Sequence, residues 1–394
     1  MRSILFLCGS LEPGQDGVGD YTRRLAAELQ RIEYRVFLIA THDKVVPTVT
    51  AARQMESGIQ IETLRIPYGT PTSDRTAKLQ QATDAFHPEW ISLQYVPHAF
   101  NRKGIPADLL LSLSRLDTSA ERHVMFHELW VTPRSRTHLK DQLLTGLERM
   151  AVSLLLGPAL RPAVVHTHLP AYHHRLQRKG APVRPLPLFA NIGRTAEPPA
   201  DPEITDRPFR VAFFSQLATP SPVTDFLSAL QTHLTDSGRP LEILLLGGGR
   251  KKVSAAAAIL NEALPTANVK PIGFRSAHEI SVQLSTADLG MTPVLRHEIG
   301  KSGTVAAFLT HRLPVAAPCV SDTTPSFFRA ELNRAVLSDF SPAALQAAQL
   351  AARDLDTNVI SVPRIARTMI TDLENATGGP RPSERQLLDA TLSK

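Results

Sequence analysis

The chain has 394 residues, 43% of them hydrophobic and 20% charged, a globular composition too long for one ordinary core. Its net charge of +6 is spread over dispersed basic residues without a nucleic-acid motif, which argues against nucleic acid as a partner. Two distant cysteines, Cys8 and Cys319, argue against a disulfide framework and for a reducing, cytoplasmic setting. No apolar stretch reaches the roughly 18 residues that span a bilayer; Met150 to Val165 is broken by Gly157, Pro158, Arg161 and Pro162.

The first half predicts repeated strand, loop and helix. SILFLCGS is a continuous apolar run, expected of a parallel strand covered on both faces. A glycine-rich loop follows, and Asp20 is placed to cap a helix with Tyr21, Leu25, Leu29 and Ile32 on one face. RVFLIAT is the next strand, then Ile59 to Ile66, Trp90 to Gln94, His123 to His127 and Ala163 to His168, with a helix over Asp141 to Leu156. Residues 191–208, rich in proline and acidic residues, read as a linker.

Beyond the linker the pattern restarts. FRVAFFS, LEILLL, NVKPIGF, ADLGMTPV and LPVAAP are strands, separated by helices over Pro222 to His233, Val253 to Ala263, Ile280 to Ser285 and Thr304 to Leu309. Helices around Pro363 to Asn375 and Ser383 to Leu392 close the chain. The alternation predicts an α/β protein of two Rossmann-like, doubly wound parallel-sheet domains, over 1–190 and 209–378, with 379–394 as a terminal helix able to return to the first domain.

Several loops carry chemistry. Gly300, Ser302 and Gly303 allow close backbone approach, while Lys301 and the following helix N-terminus supply positive potential, which makes residues 300–304 an anion seat. Gly247 and Gly248 end the LEILLL strand, and either leave room for a base or ribose or only make a turn. Gly14, Gly17 and Gly19 in the first domain either let the backbone approach a donor phosphate or the acceptor or only make a tight turn. Gln94, Tyr95 and His98 follow a strand end; a ring with flanking amides suits an acceptor sugar, although a Tyr that pins the loop to the core fits equally. His127 ends another strand, where ligands of open parallel sheets collect. His166, His168, His173 and His174 raise a metal question, but without a supporting carboxylate or cysteine pattern one or two of them are expected to edge the cleft instead.

PGQDGVGDYTRRLAAEL, LQYVPHAF, MFHELW, LPLFANI and ADLGMTPVLRHEIG, in this order over most of the chain, resemble the family 4 glycosyltransferases. The resemblance implies the GT-B architecture, two such domains facing a central cleft, and retaining transfer from a nucleotide diphosphate sugar to a hydroxyl of a carbohydrate or lipid-linked acceptor. It implies Glu298 and His127 as catalytic groups. Lys301, Ser302, Gly303, Thr304, Gly247, Gly248, Gln216, Gly17 and Gly19 fall on the donor side, and Gln94, Tyr95, His98 and Asp16 on the acceptor side. No cofactor besides the donor and no metal are expected, the helix and Lys301 replacing a divalent cation, and the basic stretch Arg134 to Arg149 leaves open a peripheral contact of a cytoplasmic protein with the inner membrane face.

This chain departs from the family pattern at two points. The second of the family's two glutamates falls on Ala306, and the usual Arg and Lys after the first strand of the second domain are replaced by a segment with Gln216 and no base, leaving Lys301 as the charge for a diphosphate. A sugar-nucleotide epimerase and a catalytically silent partner of another transferase are the alternatives.

Overall fold

A computed structural model describes residues 2–130, 139–195 and 207–377. The chain divides into two compact units. Of the described residues, the first holds those up to His168, 172–186 and 365–377, and the second holds 169–171 and those between Pro187 and Arg364.

The first unit is built on an eight-stranded sheet. Its strands are β1 (Ser3–Cys8), β2 (Arg35–Asp43), β3 (Thr50–Glu56), β4 (Ile59–Pro67), β5 (Trp90–Tyr95), β6 (Glu121–Phe126), β7 (Val164–Thr167) and β8 (Val183–Pro185), in the order β3-β4-β2-β1-β5-β6-β7-β8. All pairs are parallel except β3 with β4. Every residue of β1 is buried, as a strand covered on both faces requires. The antiparallel β3 was not expected, because TAARQME has no apolar face and remains largely exposed.

The second sheet has six parallel strands, β9 (Phe209–Phe214), β10 (Leu241–Leu246), β11 (Asn268–Gly273), β12 (Leu289–Met291), β13 (Val315–Ala316) and β14 (Val336–Leu337), ordered β11-β10-β9-β12-β13-β14. One apolar cluster covers each face, around Phe213, Leu227 and Leu245 on one side and Leu244, Val305 and Phe308 on the other. Gly290 in β12 is a packing requirement, since an added Cβ would lie 2.5 Å from the Phe308 ring.

In each sheet the chain winds outward from the first strand and returns to that strand's other side. The direction therefore reverses between β1 and β5 in one unit and between β9 and β12 in the other. Loops at the carboxyl ends of such strand pairs form the usual ligand crevice of open α/β sheets.

The second unit ends before the expected residue 378. Helix Val362–Thr377 buries Ile365, Ala366, Met369, Ile370 and Leu373, and its Asp372 bonds His166 and Arg184 of the first unit. Residues 379–394, with the helix expected at Ser383 to Leu392, lie outside the described residues, as do 196–206 of the linker. Among the described residues no helix is long and apolar enough to cross a membrane.

Candidate functional site

The expected donor-side residues of the second unit collect where its sheet reverses. Gln216 follows β9, Gly247 and Gly248 follow β10, and residues 298–304 follow β12, three strands that are neighbours in the sheet. The Thr292 hydroxyl donates to Gln216 Oε1 at 3.2 Å, and the Thr304 hydroxyl donates to the Phe214 carbonyl at 3.0 Å, so the loops after β9 and β12 are tied together. The Ser215 N–H donates to the Leu246 carbonyl at 2.8 Å, which joins β9's loop to the end of β10.

Residues Arg296–Lys301 form a 3-10 turn that runs into helix Gly303–Thr310. Ser302 is the N-cap, its Oγ accepting from the Val305 N–H at 3.4 Å. The first-turn N–H groups of Gly303 and Thr304 have no acceptor within the helix. A Cβ added to Gly303 would meet nothing within 4 Å, so the first turn is unobstructed on that side. Lys301 Nζ lies 3.3 Å from Glu298 Oε2, with both side chains about a quarter exposed, and the carboxylate partly offsets the ammonium. Gly247 and Gly248 take φ of +72° and +76°, which is the tight-turn reason for glycine there. Ala306, at the place of the family's second glutamate, is buried in the core.

The first unit distributes its expected residues differently. Asp16, not Asp20, caps helix Gly17–Arg31, accepting from the N–H groups of Val18 at 3.0 Å and Gly19 at 2.7 Å. The carboxylate therefore occupies the helix end that Gly17 and Gly19 were expected to offer a ligand, while burial pushes its pKa up. Asp20 instead pairs with Arg23 at 2.6 Å. Gly19 has a packing reason, since an added Cβ would stand 2.4 Å from the Ser10 carbonyl oxygen, whereas at Gly17 it would meet nothing within 4 Å.

Tyr95 is fully buried, stacked on Phe100 at 6.0 Å and set edge-on to Phe126 at 5.3 Å, so its ring belongs to the core and not to a sugar-facing surface. Gln94 is buried as well, its amide engaged by Ser92 and His127. Of the expected acceptor set, His98 remains open, with its ring 40% exposed.

His127 is 6% exposed, and both its ring nitrogens have partners: Nε2 meets Gln94 Oε1 at 3.0 Å and Nδ1 meets His168 Nε2 at 2.9 Å. A ring-nitrogen contact to a ligand requires giving up one of these. His123, which the sequence reading left without a role, and His166, expected at the cleft edge, also bond each other at 2.9 Å in the same core. Burial favours the neutral form of all four imidazoles and takes His168 down to about 3, while the Asp372 carboxylate pulls His166 the other way. The signal for this cluster is parity: Ser92 and Gln94, His123 and His127, His166 and His168 each share a strand face. His173 and His174 lie on helix Pro170–Gln177, away from that strand pattern.

No protein-family model and no curated protein matches the chain. Solved structures do. HepE from Anabaena, crystallised with UDP and glucose, superposes with a TM-score of 0.59 at 15% identity, over 95% of this chain and 100% of its own. A UDP-forming α,α-trehalose-phosphate synthase from Burkholderia vietnamiensis gives 0.61 at 10% identity, over 96% of this chain and 100% of its own. The fold is that of the GT-B glycosyltransferases. The same two-unit α/β architecture also appears in MnaA from S. aureus, crystallised with UDP, at a TM-score of 0.55 and 10% identity, over 97% of this chain and 99% of its own.

Proposed function

We propose that this chain is a glycosyltransferase of the family 4 type, moving a sugar with retention from a nucleoside diphosphate sugar to a hydroxyl of a carbohydrate or lipid-linked acceptor. What supports the reading most is the meeting of the loops after β9, β10 and β12 at the reversal point of the second sheet, where helix Gly303–Thr310 begins. Such a reaction needs stabilisation of a departing diphosphate more than a strong base. The N–H groups of Gly303 and Thr304 and the Lys301 ammonium hold phosphate oxygens there. Ser302 keeps the helix end in place by capping it. Glu298 would be repelled by phosphate, so it takes donor-sugar hydroxyls and positions Lys301. Gly247 and Gly248 lie beside the ribose or base. In this reading the protein works in the cytoplasm, against the inner membrane face when the acceptor is lipid-linked, and uses neither a metal ion nor a further cofactor.

A sugar-nucleotide epimerase is the second reading, favoured by UDP-N-acetylglucosamine 2-epimerase-like neighbours of the same fold. Titrating the full chain with UDP, ADP and GDP, then incubating it with the matching sugar nucleotides with and without acceptor sugars, separates the two. Acceptor-dependent release of the nucleoside diphosphate supports transfer, and an isomerised sugar without acceptor supports the epimerase. A folded protein that binds no nucleoside diphosphate rules out both.

A further inference from the structure

Seven hydrogen bonds run without a break through the first unit. From the Leu186 carbonyl they pass to His168 Nδ1 (2.8 Å), from His168 Nε2 to His127 Nδ1 (2.9 Å), and from His127 Nε2 to the Gln94 amide (3.0 Å). The other end of that amide meets Ser92 Oγ (2.9 Å), and Ser92 Oγ meets His123 Nδ1 (2.8 Å). His123 Nε2 then meets His166 Nδ1 (2.9 Å), and His166 Nε2 meets Asp372 Oδ2 (3.0 Å). All four rings are buried, as are Ser92 and Gln94.

Each of these links needs one hydrogen. A neutral imidazole contributes one, the Gln94 amide directs one along the chain while its oxygen accepts at the other end, and the Ser92 hydroxyl contributes one, which makes six for the seven links. Both termini, a backbone carbonyl and a carboxylate, only accept. With four neutral rings, one link must therefore set two lone pairs against each other inside the core.

We propose that this chain holds a seventh proton, as an imidazolium with Asp372 as its counter-ion, and that Asp372 is thereby the positioning residue that sets the tautomer of His127. The proposal stands apart from the transfer reaction and does not depend on it. Burial disfavours a lone charge on any of the four rings, but an imidazolium paired with the carboxylate adds no net charge. The charged groups acting on the rings are Asp372 and Arg184, and Arg184 binds the other carboxylate oxygen at 2.6 Å. Tyr21 from helix Gly17–Arg31 covers the rings of His127 and His168 edge-on, at 4.9 and 5.7 Å.

The Gln94 amide governs where the proton rests. With Oε1 towards His127, the imidazolium is His127 or His168; with the amide turned over, it is His123 or His166. The Asp372 charge favours His166, which turns the Gln94 amide over from the orientation given above, its nitrogen towards His127 and its oxygen towards Ser92. His123, Ser92, Gln94, His127 and His168 then all direct their hydrogens towards Leu186, and His127 keeps its hydrogen on Nδ1 and accepts at Nε2.

The test is a two-bond nitrogen–hydrogen correlation spectrum of the full chain with labelled histidine, which separates imidazolium from the two neutral tautomers, recorded at about pH 8, where an ordinary histidine is neutral. One imidazolium among His123, His127, His166 and His168 is expected, and four neutral rings would overturn the proposal. Asp372→Asn is the companion variant. Its amide can donate to His166 and accept from Arg184, so it supplies the seventh hydrogen without a charge. All four rings should then read as neutral Nδ1–H tautomers, and an imidazolium that persists in this variant would refute the role of Asp372. The wild-type spectrum decides even if the variant does not fold.

Discussion

Replacing Lys301 by alanine tests the diphosphate seat most directly. A hydrogen bond to a charged group contributes about 1.5–3 kcal/mol. Losing the pair with Glu298, about a quarter exposed, costs about 0–1 kcal/mol and bears on the free protein rather than on the complex. That pair also means Lys301 is already partly neutralised at 3.3 Å, so the lower half of the range is the better expectation, about 1.5–2 kcal/mol. At about 1.4 kcal/mol per decade, Lys301→Ala should raise the Kd for a nucleoside diphosphate about 10- to 30-fold. Isothermal titration with the diphosphate and with the corresponding nucleoside is the assay. The nucleoside, lacking phosphate, should bind almost equally to both proteins. Unchanged diphosphate affinity, or an equal loss for the nucleoside, would refute the assignment of Lys301 to phosphate.

Gly303→Ala places a methyl in open space on an ordinary helical backbone, so the thermal midpoint should hold or rise, while diphosphate affinity falls if phosphate approaches this helix end; unchanged affinity would remove the close approach from the reading. Gly19→Ala, by contrast, drives a Cβ to 2.4 Å from the Ser10 carbonyl oxygen, and urea denaturation should show a loss of about 1–3 kcal/mol or more. Acid should weaken the first unit. His168, pushed down to about 3 by burial, stays neutral in the folded chain while the unfolded chain binds its proton below about pH 6.5. The unfolded state then holds more protons, so this contribution is present above about pH 6.5 and is lost as pH falls towards about 3, at up to about 1.4 kcal/mol per pH unit. A urea midpoint that stays flat from about pH 7 to about pH 5 would contradict the buried neutral ring.

The limits of the sequence reading follow from which residues signal locally and which answer to distant partners. The run in β1 and the apolar faces of the helices are local signals, and the parallel α/β alternation follows from them. The turn that starts helix Gly303–Thr310 was legible for the same reason, because its serine, glycine and lysine are neighbours in the chain. TAARQME in β3 carries no such signal, since it is a strand only because β4 pairs with it. Placing the cap at Asp20 ignored Asp16, which bonds N–H groups two and three residues ahead. For Tyr95 the sequence left a sugar-facing ring and a core pin equally open; adjacent strand residues point to opposite faces and β5 is buried on both, which puts the ring in the core. The histidine chain lay at the edge of legibility. A single buried polar residue says little, but three adjacent strands that each carry polar groups at even spacing must satisfy one another, because no water reaches a covered parallel sheet. What no strand pattern contains is the last link, since Asp372 comes from a helix some two hundred residues away, and that acceptor is what leaves the chain one hydrogen short.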